Sequence, residues 1–249
     1  MIFSVLTLFP DMIRNAAGVS ILGRALAESR FELDVVNIRD FAVNDYGKVD
    51  DQIYGGGTGM LLMAEPLYQA AKAQCAKYSE MPCHVIYLSP RGRKLDQQMV
   101  ESLAGKSHLM LVCGHYEGVD ERFLEATQAV EVSIGDYVLT GGELPALVLM
   151  DAVARRLPGV LPSADAFEDE SHGAGLLAEP QYTRPAVWQE RAVPPVLLSG
   201  HAANIAAWRK ARQIETTIRR RPDLDGLRRL SEEDWRAAFD VLSKETDDG

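Results

Sequence analysis

Apolar residues recur along the first two thirds of the chain in two alternating patterns. Short runs rich in β-branched and aromatic residues predict strands over residues 2–9, 31–38, 84–88, 109–113 and 130–134. Longer stretches with apolar residues at helical spacing predict helices over residues 67–77, 95–103, 120–126 and 144–157. Strands that are apolar on both faces and alternate with helices predict an α/β fold, in which helices cover both sides of a mostly parallel sheet.

The last third of the chain has a different pattern. Residues 158–195 contain six prolines and show no clear period, which is typical of a functional loop or a linker. Helical patterns follow over residues 205–221 and over residues 232–242. Asn204 and Ser231 are suitable N-caps for these two helices, so this end of the chain is predicted to be helical.

Composition narrows the class of protein. Of the 249 residues, 47% are apolar and 25% are charged, which is typical of folded globular chains and excludes disordered, collagen-like and coiled-coil classes. The three cysteines form no CxxC pair, so we expect neither a disulfide framework nor a zinc knuckle. No apolar run approaches the roughly 18 residues that span a bilayer, and residues 1–12 lack the basic start of a signal peptide. These features predict a cytoplasmic protein.

The charge of the chain is unevenly distributed. Its formal net charge of -10 normally disfavours nucleic-acid binding. Residues 205–230, however, contain eight Lys and Arg residues against three acidic residues, and residues 231–249 contain seven acidic residues against two basic ones. A basic, phosphate-binding surface can therefore exist inside an acidic protein. A solvated helix face is the alternative interpretation.

Three loops follow predicted strands and are rich in small and polar residues, at residues 88–92, 113–120 and 133–145. Because the carboxyl ends of parallel strands share one edge of a sheet, these loops can converge on one pocket. Their backbone N–H and C=O groups suit a neutral heterocycle such as adenine. A further glycine cluster over residues 54–60 follows no strand and lacks the Lys of a phosphate loop, so a flexible linker is the alternative there.

The sequence gives little support for a catalytic metal site or for a catalytic nucleophile. His84, His108 and His201 are isolated and lack the spacing of a catalytic zinc site. The chain contains no GxSxG motif and no convincing Cys–His pair. Two further segments are candidates for chemistry, the acidic run 168–172 and the segment 180–185. A solvated loop and an ordinary proline-braced turn are the respective alternatives.

Seven motifs occur in order between residues 6 and 185: LTLFPDM, DDxxYGGGxGM, LSPRG, GHYEGVDER, SIGDYVLTGGELPA, PGVL and GLLxxPxYTRP. Together they resemble the bacterial tRNA (guanine-N1)-methyltransferases of the SPOUT superfamily. The resemblance implies a SPOUT-type α/β domain over residues 1–160, in which a C-terminal trefoil knot holds S-adenosylmethionine. It also implies a loop over residues 161–179 that carries the general base, and a small all-helical tRNA-binding domain over residues 180–249.

The same resemblance implies partners. Members of the family are homodimers with an active site shared between the subunits, and they methylate guanosine 37 of tRNA. No DNA or membrane partner is therefore expected. Magnesium assists some members, but the sequence contains no dedicated metal site.

The resemblance also implies site residues. Arg155 matches the catalytic arginine, and the alignment favours Glu170 as general base, with Asp169 as the alternative. The predicted cofactor-binding residues are Tyr87, Leu88, Ser89, Pro90, Gly114, Glu117, Ser133, Ile134, Gly135, Asp136, Tyr137, Val138, Leu139, Gly141, Gly142 and Pro145. The basic helices and the 180–185 segment supply the predicted tRNA-binding residues, which are Tyr182, Arg184, Arg209, Lys210, Arg219 and Arg220.

The chain departs from the family pattern at several positions, where Gln52, Ile53, Thr58, His115 and His172 replace commoner residues. We expect these changes to affect substrate contacts more than the type of reaction. Two other functions are alternatives: a related SPOUT enzyme that methylates the ribose 2′-OH of another RNA, and an RNA-binding relative that has lost activity. The acidic run and the 180–185 segment argue against the first, and the intact catalytic positions argue against the second.

Overall fold

The computed structural model describes residues 1–56, 58–161, 171–172 and 175–247. The chain divides into two compact units, Met1–Ser163 and Ala164–Gly249. Within the described residues, no helix is both long enough and apolar enough to span a bilayer.

The strands of the first unit are β1 (Ile2–Thr7), β2 (Glu32–Asn37), β3 (Asp50–Gln52), β4 (Met60–Leu62), β5 (Cys83–Lys94), β6 (His108–Cys113) and β7 (Val130–Ser133). Five of them form a sheet in the order β2-β1-β6-β5-β7 with parallel pairings throughout, so the predicted parallel sheet is confirmed. Strand β5 is longer than predicted, because Arg93 and Lys94 pair with β7 again after a register shift. Strands β3 and β4 form a separate antiparallel pair.

Helices cover both faces of this sheet. They are α1 (Pro10–Ala17), α2 (Ser20–Ala27), α3 (Ala64–Lys77), α4 (Gln97–Ala104), α5 (Glu121–Thr127) and α6 (Glu143–Ala154). One core contains Ile13, Val100 and Leu149 from α1, α4 and α6, and the other contains Leu67 and Phe123 from α3 and α5. The predicted α/β architecture is therefore confirmed.

Helix α1 is a difference from the sequence-based expectation. The apolar run at the start of the chain predicts a strand interrupted by Pro10, whereas Pro10 occupies the first position of α1. Proline suits that position because its fixed φ angle matches a helix and its missing N–H would have no partner within the helix.

The second unit contains a hairpin as well as helices. Its elements are β8 (Val187–Trp188), β9 (Arg191–Ala192), α7 (Pro195–Leu198), α8 (Ala202–Arg220) and α9 (Glu232–Asp247), with a 3₁₀ helix over Asp225–Arg229. The prediction of an all-helical domain is therefore wrong for residues 187–192. In the hairpin turn, Gln189 and Glu190 have positive φ angles. A sequence usually indicates such a turn by Gly, Asn or Asp at these positions, and this chain has none of them there.

Of the two N-caps predicted for the long helices, one is wrong and one is confirmed. Helix α8 begins at Ala202, so Asn204 lies inside it and the predicted cap is wrong. For α9 the predicted cap is confirmed, because the backbone N–H of Asp234 donates to Ser231 Oγ at 3.1 Å. The core of this unit joins Leu176 to Ala211 and Ile214 of α8 and to Ala238 of α9.

Candidate active site

A cavity of about 260 Å³ lies at the carboxyl ends of β6 and β7 and beside the register shift of β5. The loops that follow β6 and β7 line it, as the sequence predicts. The prediction of a loop over residues 88–92 is wrong, because residues 87–90 line the cavity from within β5, which continues to Lys94. Fifteen of the sixteen predicted cofactor-binding residues line the cavity. The exception is Asp136, whose carboxylate is exposed and accepts a hydrogen bond from Lys94 Nζ at 2.8 Å.

The loops around the cavity are held by backbone contacts. The backbone N–H of Gly142 donates to the carbonyl of Gly114 at 2.9 Å, and His115 and Gly141 form an isolated antiparallel bridge. A Cβ atom added to Gly142 would lie 2.6 Å from the Cα atom of Cys113, so the two loops are as close as their backbones allow. The walls therefore consist largely of backbone groups with fixed positions.

The side chains at the cavity are mostly uncharged. Burial raises the pKa of the Tyr87 phenol, and nearby Glu131 raises it further. Burial also raises the pKa of the neighbouring Cys113 thiol well above its ordinary value, an effect that Glu143 strengthens. Cys113 therefore stays protonated and is not a nucleophile. Glu117 is an exposed carboxylate among the lining residues.

The predicted catalytic arginine lies outside the lining of the cavity. Arg155 directly follows α6, and its backbone N–H donates to the carbonyl of Asp151 at 3.1 Å. It is partly buried and does not line the cavity. Glu170 and Asp169 lie outside the described residues. Ser171, the next residue, is described, and its Oγ accepts a hydrogen bond from the backbone N–H of Ala178 at 2.9 Å.

Most of the predicted tRNA-binding residues belong to α8 or to the segment that packs on it. The ring of Tyr182 lies 6.3 Å from that of Trp208. Arg209 is not a freely available cation, because its Nε lies 3.5 Å from Oε1 of the buried Glu179. Gln213 Nε2 donates to the other oxygen of Glu179 at 3.0 Å. The remaining predicted residues are the exposed Arg184, Arg219 and Arg220, and the partly exposed Lys210.

Sequence reasoning missed five lining residues, which are His115, Tyr116, Gly118, Val132 and Thr140. Three of them, His115, Tyr116 and Gly118, belong to the GHYEGVDER motif, so the position of that motif could have indicated them. It also missed the buried Glu179, because an acidic residue in a proline-rich segment has no sequence feature that indicates burial. Among the described residues, no group of three or more His, Cys, Asp or Glu side chains could hold a metal ion.

The fold and the position of the cavity define a class of protein. A parallel sheet with a loop-lined cavity at the carboxyl ends of its strands is typical of α/β proteins that bind an organic ligand at that edge. The backbone walls and the lining carboxylate, Glu117, suit the binding of such a ligand.

Comparison with known proteins identifies the family. The family model described as tRNA (Guanine-1)-methyltransferase TrmD matches residues 1–226. The chain is 51% identical over 222 residues to the tRNA (guanine-N(1)-)-methyltransferase of Ruminiclostridium cellulolyticum, covering 89% of this chain and 95% of that protein. It is 49% identical over 229 residues to the protein of the same name from Alkaliphilus oremlandii, covering 90% and 92% respectively.

A third relative extends the comparison to another lineage. The tRNA (guanine-N(1)-)-methyltransferase of Chloroflexus aurantiacus is 52% identical over 222 residues, covering 89% of this chain and 87% of that protein. The chain belongs to the tRNA (guanine-1)-methyltransferase family. The predictions of that family, of an enzyme and of guanine N1 methylation in tRNA are therefore confirmed.

Proposed function

We propose that this enzyme transfers a methyl group from S-adenosylmethionine to N1 of guanosine 37 in tRNA. The observation that carries the proposal is the cavity formed by β5 and by the loops after β6 and β7, lined by fifteen of the sixteen residues assigned from the family motifs. The family and the names of the curated relatives support the reaction and the tRNA substrate.

The lining of the cavity fits S-adenosylmethionine. Glycine and other small residues in its walls let an adenine ring approach the backbone, whose N–H and C=O groups suit a neutral heterocycle. Glu117 provides a carboxylate that can face a positive charge. The cavity volume is near the lower end of the range for small-molecule sites, about 300–1,000 Å³. When bound, this cofactor supplies an electrophilic methyl group on a positively charged sulfur.

Two side chains then act on the guanine base. N1 of guanine carries a proton, which the carboxylate of Glu170 removes as the new bond forms; Asp169 is the alternative base. A general base of this kind contributes about 10²–10⁴ in rate. Loss of the proton moves negative charge onto O6, and the guanidinium of Arg155 stabilises that charge by donating N–H groups.

The distance along α6 favours an active site shared between two subunits. Pro145 lines the cavity at the start of the helix, and Arg155 follows its end. Ten residues at about 1.5 Å rise per residue separate the two positions by about 15 Å. Arg155 therefore reaches a guanine at the cavity most readily from the other copy of a homodimer.

An exposed apolar face supports this homodimer. Helices α1 and α6 pack against each other, and large apolar side chains at and beside their outer surfaces are 41–50% exposed, namely Phe9, Met12, Leu144 and Val148. Contiguous apolar surface of this kind marks a protein interface. The close packing of the 133–142 loop against Cys113 and Gly114 supports the proposed trefoil knot around the cofactor.

The second unit is proposed to bind tRNA. Arg219 and Arg220 are exposed at the end of α8, so they are available to phosphates. Tyr182 is half-exposed and can contact an unstacked base. A nucleotide in an anticodon loop is displaced at lower cost than one in a duplex, which suits an enzyme that needs access to guanine N1.

The proposal is tested by methyl transfer from radiolabelled S-adenosylmethionine to two tRNA transcripts that differ only at position 37. We expect label in the transcript with guanosine 37 and none in the transcript with adenosine 37. Equal labelling of both transcripts would overturn the assignment of position 37. Absence of label from both, with cofactor bound, would overturn the proposed substrate.

A further inference from the structure

A buried carboxyl group connects two of the loops that form the cavity. Glu143, the first residue of α6, is 3% exposed. One of its oxygens, Oε1, accepts a hydrogen bond from Thr7 Oγ1 at 2.6 Å. The other, Oε2, lies 2.8 Å from Nε2 of His115. This hydrogen bond joins Glu143 to the loop after β6.

The contacts of Phe9 close this cluster into a ring. The backbone N–H of Phe9 donates to Thr7 Oγ1 at 2.9 Å, so the threonine hydroxyl accepts one hydrogen bond and donates another. The side chain of Phe9 packs on the His115 ring, with 4.8 Å between the ring centroids. Glu143 thus joins the end of β1, the start of α6 and the loop after β6.

Position in the helix favours this arrangement. Glu143 lies in the first turn of α6, where the helix dipole and unpaired N–H groups stabilise a negative charge. A carboxylate buried away from water remains stable only when hydrogen bonds and a partner satisfy it, and Thr7 and His115 supply them. The Glu143 cluster, defined as Thr7, Glu143 and His115, is therefore a hydrogen-bonded polar group in which Thr7 and Glu143 are buried and His115 is partly buried.

The turn that follows His115 carries three residues of the cavity wall, Tyr116, Glu117 and Gly118. The backbone N–H of Gly118 donates to the carbonyl of His115 at 3.0 Å and closes the turn. Tyr116 within it has a φ of 59°, a conformation that costs a non-glycine residue energy and needs support from its surroundings. Tyr116 and Glu117 both line the cavity.

We propose that Glu143 is a positioning residue for the cofactor, which acts through Thr7 and His115 to fix the turn bearing Tyr116 and Glu117. This inference rests on the proposed function, since it concerns the same cavity. Glu143 itself does not line the cavity, so its effect on the ligand is carried by the side chain of His115. Loss of either hydrogen bond would loosen the turn and lower the affinity for the cofactor.

The chain offers a matched control at the other end of the same strands. Ser4 of β1 is fully buried, like Thr7, and its Oγ lies 2.9 Å from Nε2 of His108 on β6. His108 is the first residue of β6 and Ser4 lies in the amino-terminal half of β1, whereas the Glu143 cluster includes Thr7, the last residue of β1. Thr7 Oγ1 makes two hydrogen bonds, and Ser4 Oγ also makes two, with His108 and with Oε1 of Gln74 at 3.4 Å. Both changes are therefore expected to cost similar stability.

The test compares Thr7→Val, Glu143→Gln and Ser4→Ala in the full-length enzyme. Affinity for S-adenosylmethionine is measured by titration calorimetry at a temperature where thermal unfolding curves show every variant to be folded. We expect Thr7→Val and Glu143→Gln to weaken binding about tenfold or more, and Ser4→Ala to change it less than about twofold, because a tenfold loss corresponds to about 1.4 kcal/mol.

Two outcomes separate this inference from the proposed function. Wild-type protein that binds the cofactor, with Thr7→Val and Ser4→Ala binding it equally well, would overturn the positioning role alone. Wild-type protein that fails to bind it would overturn the cofactor assignment. If Glu143→Gln does not fold, Thr7→Val decides the matter, because it preserves the shape of the side chain and leaves Glu143 in place.

Discussion

Gly59 lies directly against the side chain of Glu117. A Cβ atom at Gly59 would come within 2.7 Å of Glu117 Cγ, and the backbone N–H of Glu117 donates to the carbonyl of Met60 at 3.1 Å. Gly59 and Met60 therefore support the Glu117 carboxylate that lines the cavity. For Gly59, this contact favours a backbone held close to a neighbour over the flexible-linker interpretation.

This contact predicts different results for two glycine substitutions. Gly59→Ala forces Glu117 to move and adds strain at a φ of 117°, so we expect cofactor affinity to fall about tenfold. Gly56→Ala adds comparable strain at a φ of 85° but meets no atom within 4 Å, so it costs stability alone, about 1 kcal/mol. Calorimetric titration with S-adenosylmethionine distinguishes them, and equal affinities for the two variants would contradict the role given to Gly59.

A second prediction concerns the general base. Glu170→Gln preserves the size of the side chain but removes its basicity, so turnover should fall about 10²–10⁴-fold while cofactor affinity stays unchanged. Asp169→Asn is the matched control and should retain most of the wild-type rate. Single-turnover methyl transfer to tRNA measures both. A large loss in Asp169→Asn with normal rates in Glu170→Gln would reassign the base to Asp169.

A third prediction concerns stability and pH. His108 is fully buried, and within the described part of the chain its Nδ1 has no hydrogen-bond partner. Burial lowers the pKa of His108 below its ordinary value of 6.5; Asp34 and Glu32 oppose this effect, and His84 adds to it. At pH values between the folded and unfolded pKa, the unfolded state binds more protons. The free energy of unfolding should therefore decrease as the pH falls below about 6.5.

Urea unfolding at pH 7.5 and pH 5.5 measures this effect. His108→Gln removes the titrating group and should reduce the loss of stability between the two pH values. His84→Gln, on the neighbouring strand β5, is the control because His84 is partly exposed. The explanation fails if the His108→Gln protein loses as much stability on acidification as the wild type.

A fourth prediction separates arginines that bind tRNA from one that stabilises the fold. Arg219 and Arg220 are exposed at the end of α8, so their replacement by alanine should weaken tRNA binding without changing the thermal midpoint. Each lost phosphate contact should also reduce the slope of log K against log[salt] by about 0.7–0.9. Filter binding at several salt concentrations measures this slope, and an unchanged slope would contradict the assignment.

Arg209→Ala should act differently. Arg209 pairs with the buried carboxylate of Glu179. Without Arg209, the described residues that still bond to this carboxylate are the neutral side-chain amides of Gln213 and Gln181. We expect a lower thermal midpoint of unfolding. A variant with normal stability and a reduced salt slope would place Arg209 with the tRNA-binding residues instead.

The fold was predictable where the local pattern and the tertiary environment agree. The apolar runs of β1, β5, β6 and β7 indicate a parallel sheet because both faces of that sheet are buried. Helix α1 was not predicted because Pro10 has two structural uses, as an interruption and as the first residue of a helix. The hairpin at residues 187–192 was not predicted because Gln189 and Glu190 carry no turn signal.

The candidate site was only partly predictable from the sequence. The family motifs indicate most of the residues that line the cavity. The Glu143 cluster could not be predicted from spacing, because Thr7, His115 and Glu143 are more than a hundred residues apart at the extremes and meet only when β1, β6 and α6 pack together. The burial of Glu179 likewise depends on the packing of residues 176–182 against α8.

The central claim is methylation of guanine N1, and nucleoside analysis of the product tests it most directly. tRNA with guanosine 37 is methylated by the purified enzyme, digested to nucleosides and analysed by liquid chromatography and mass spectrometry. We predict 1-methylguanosine as the methylated nucleoside, with none formed when guanosine 37 is replaced. A product methylated on the ribose 2′-oxygen would contradict the claim, together with the roles assigned to Glu170 and Arg155.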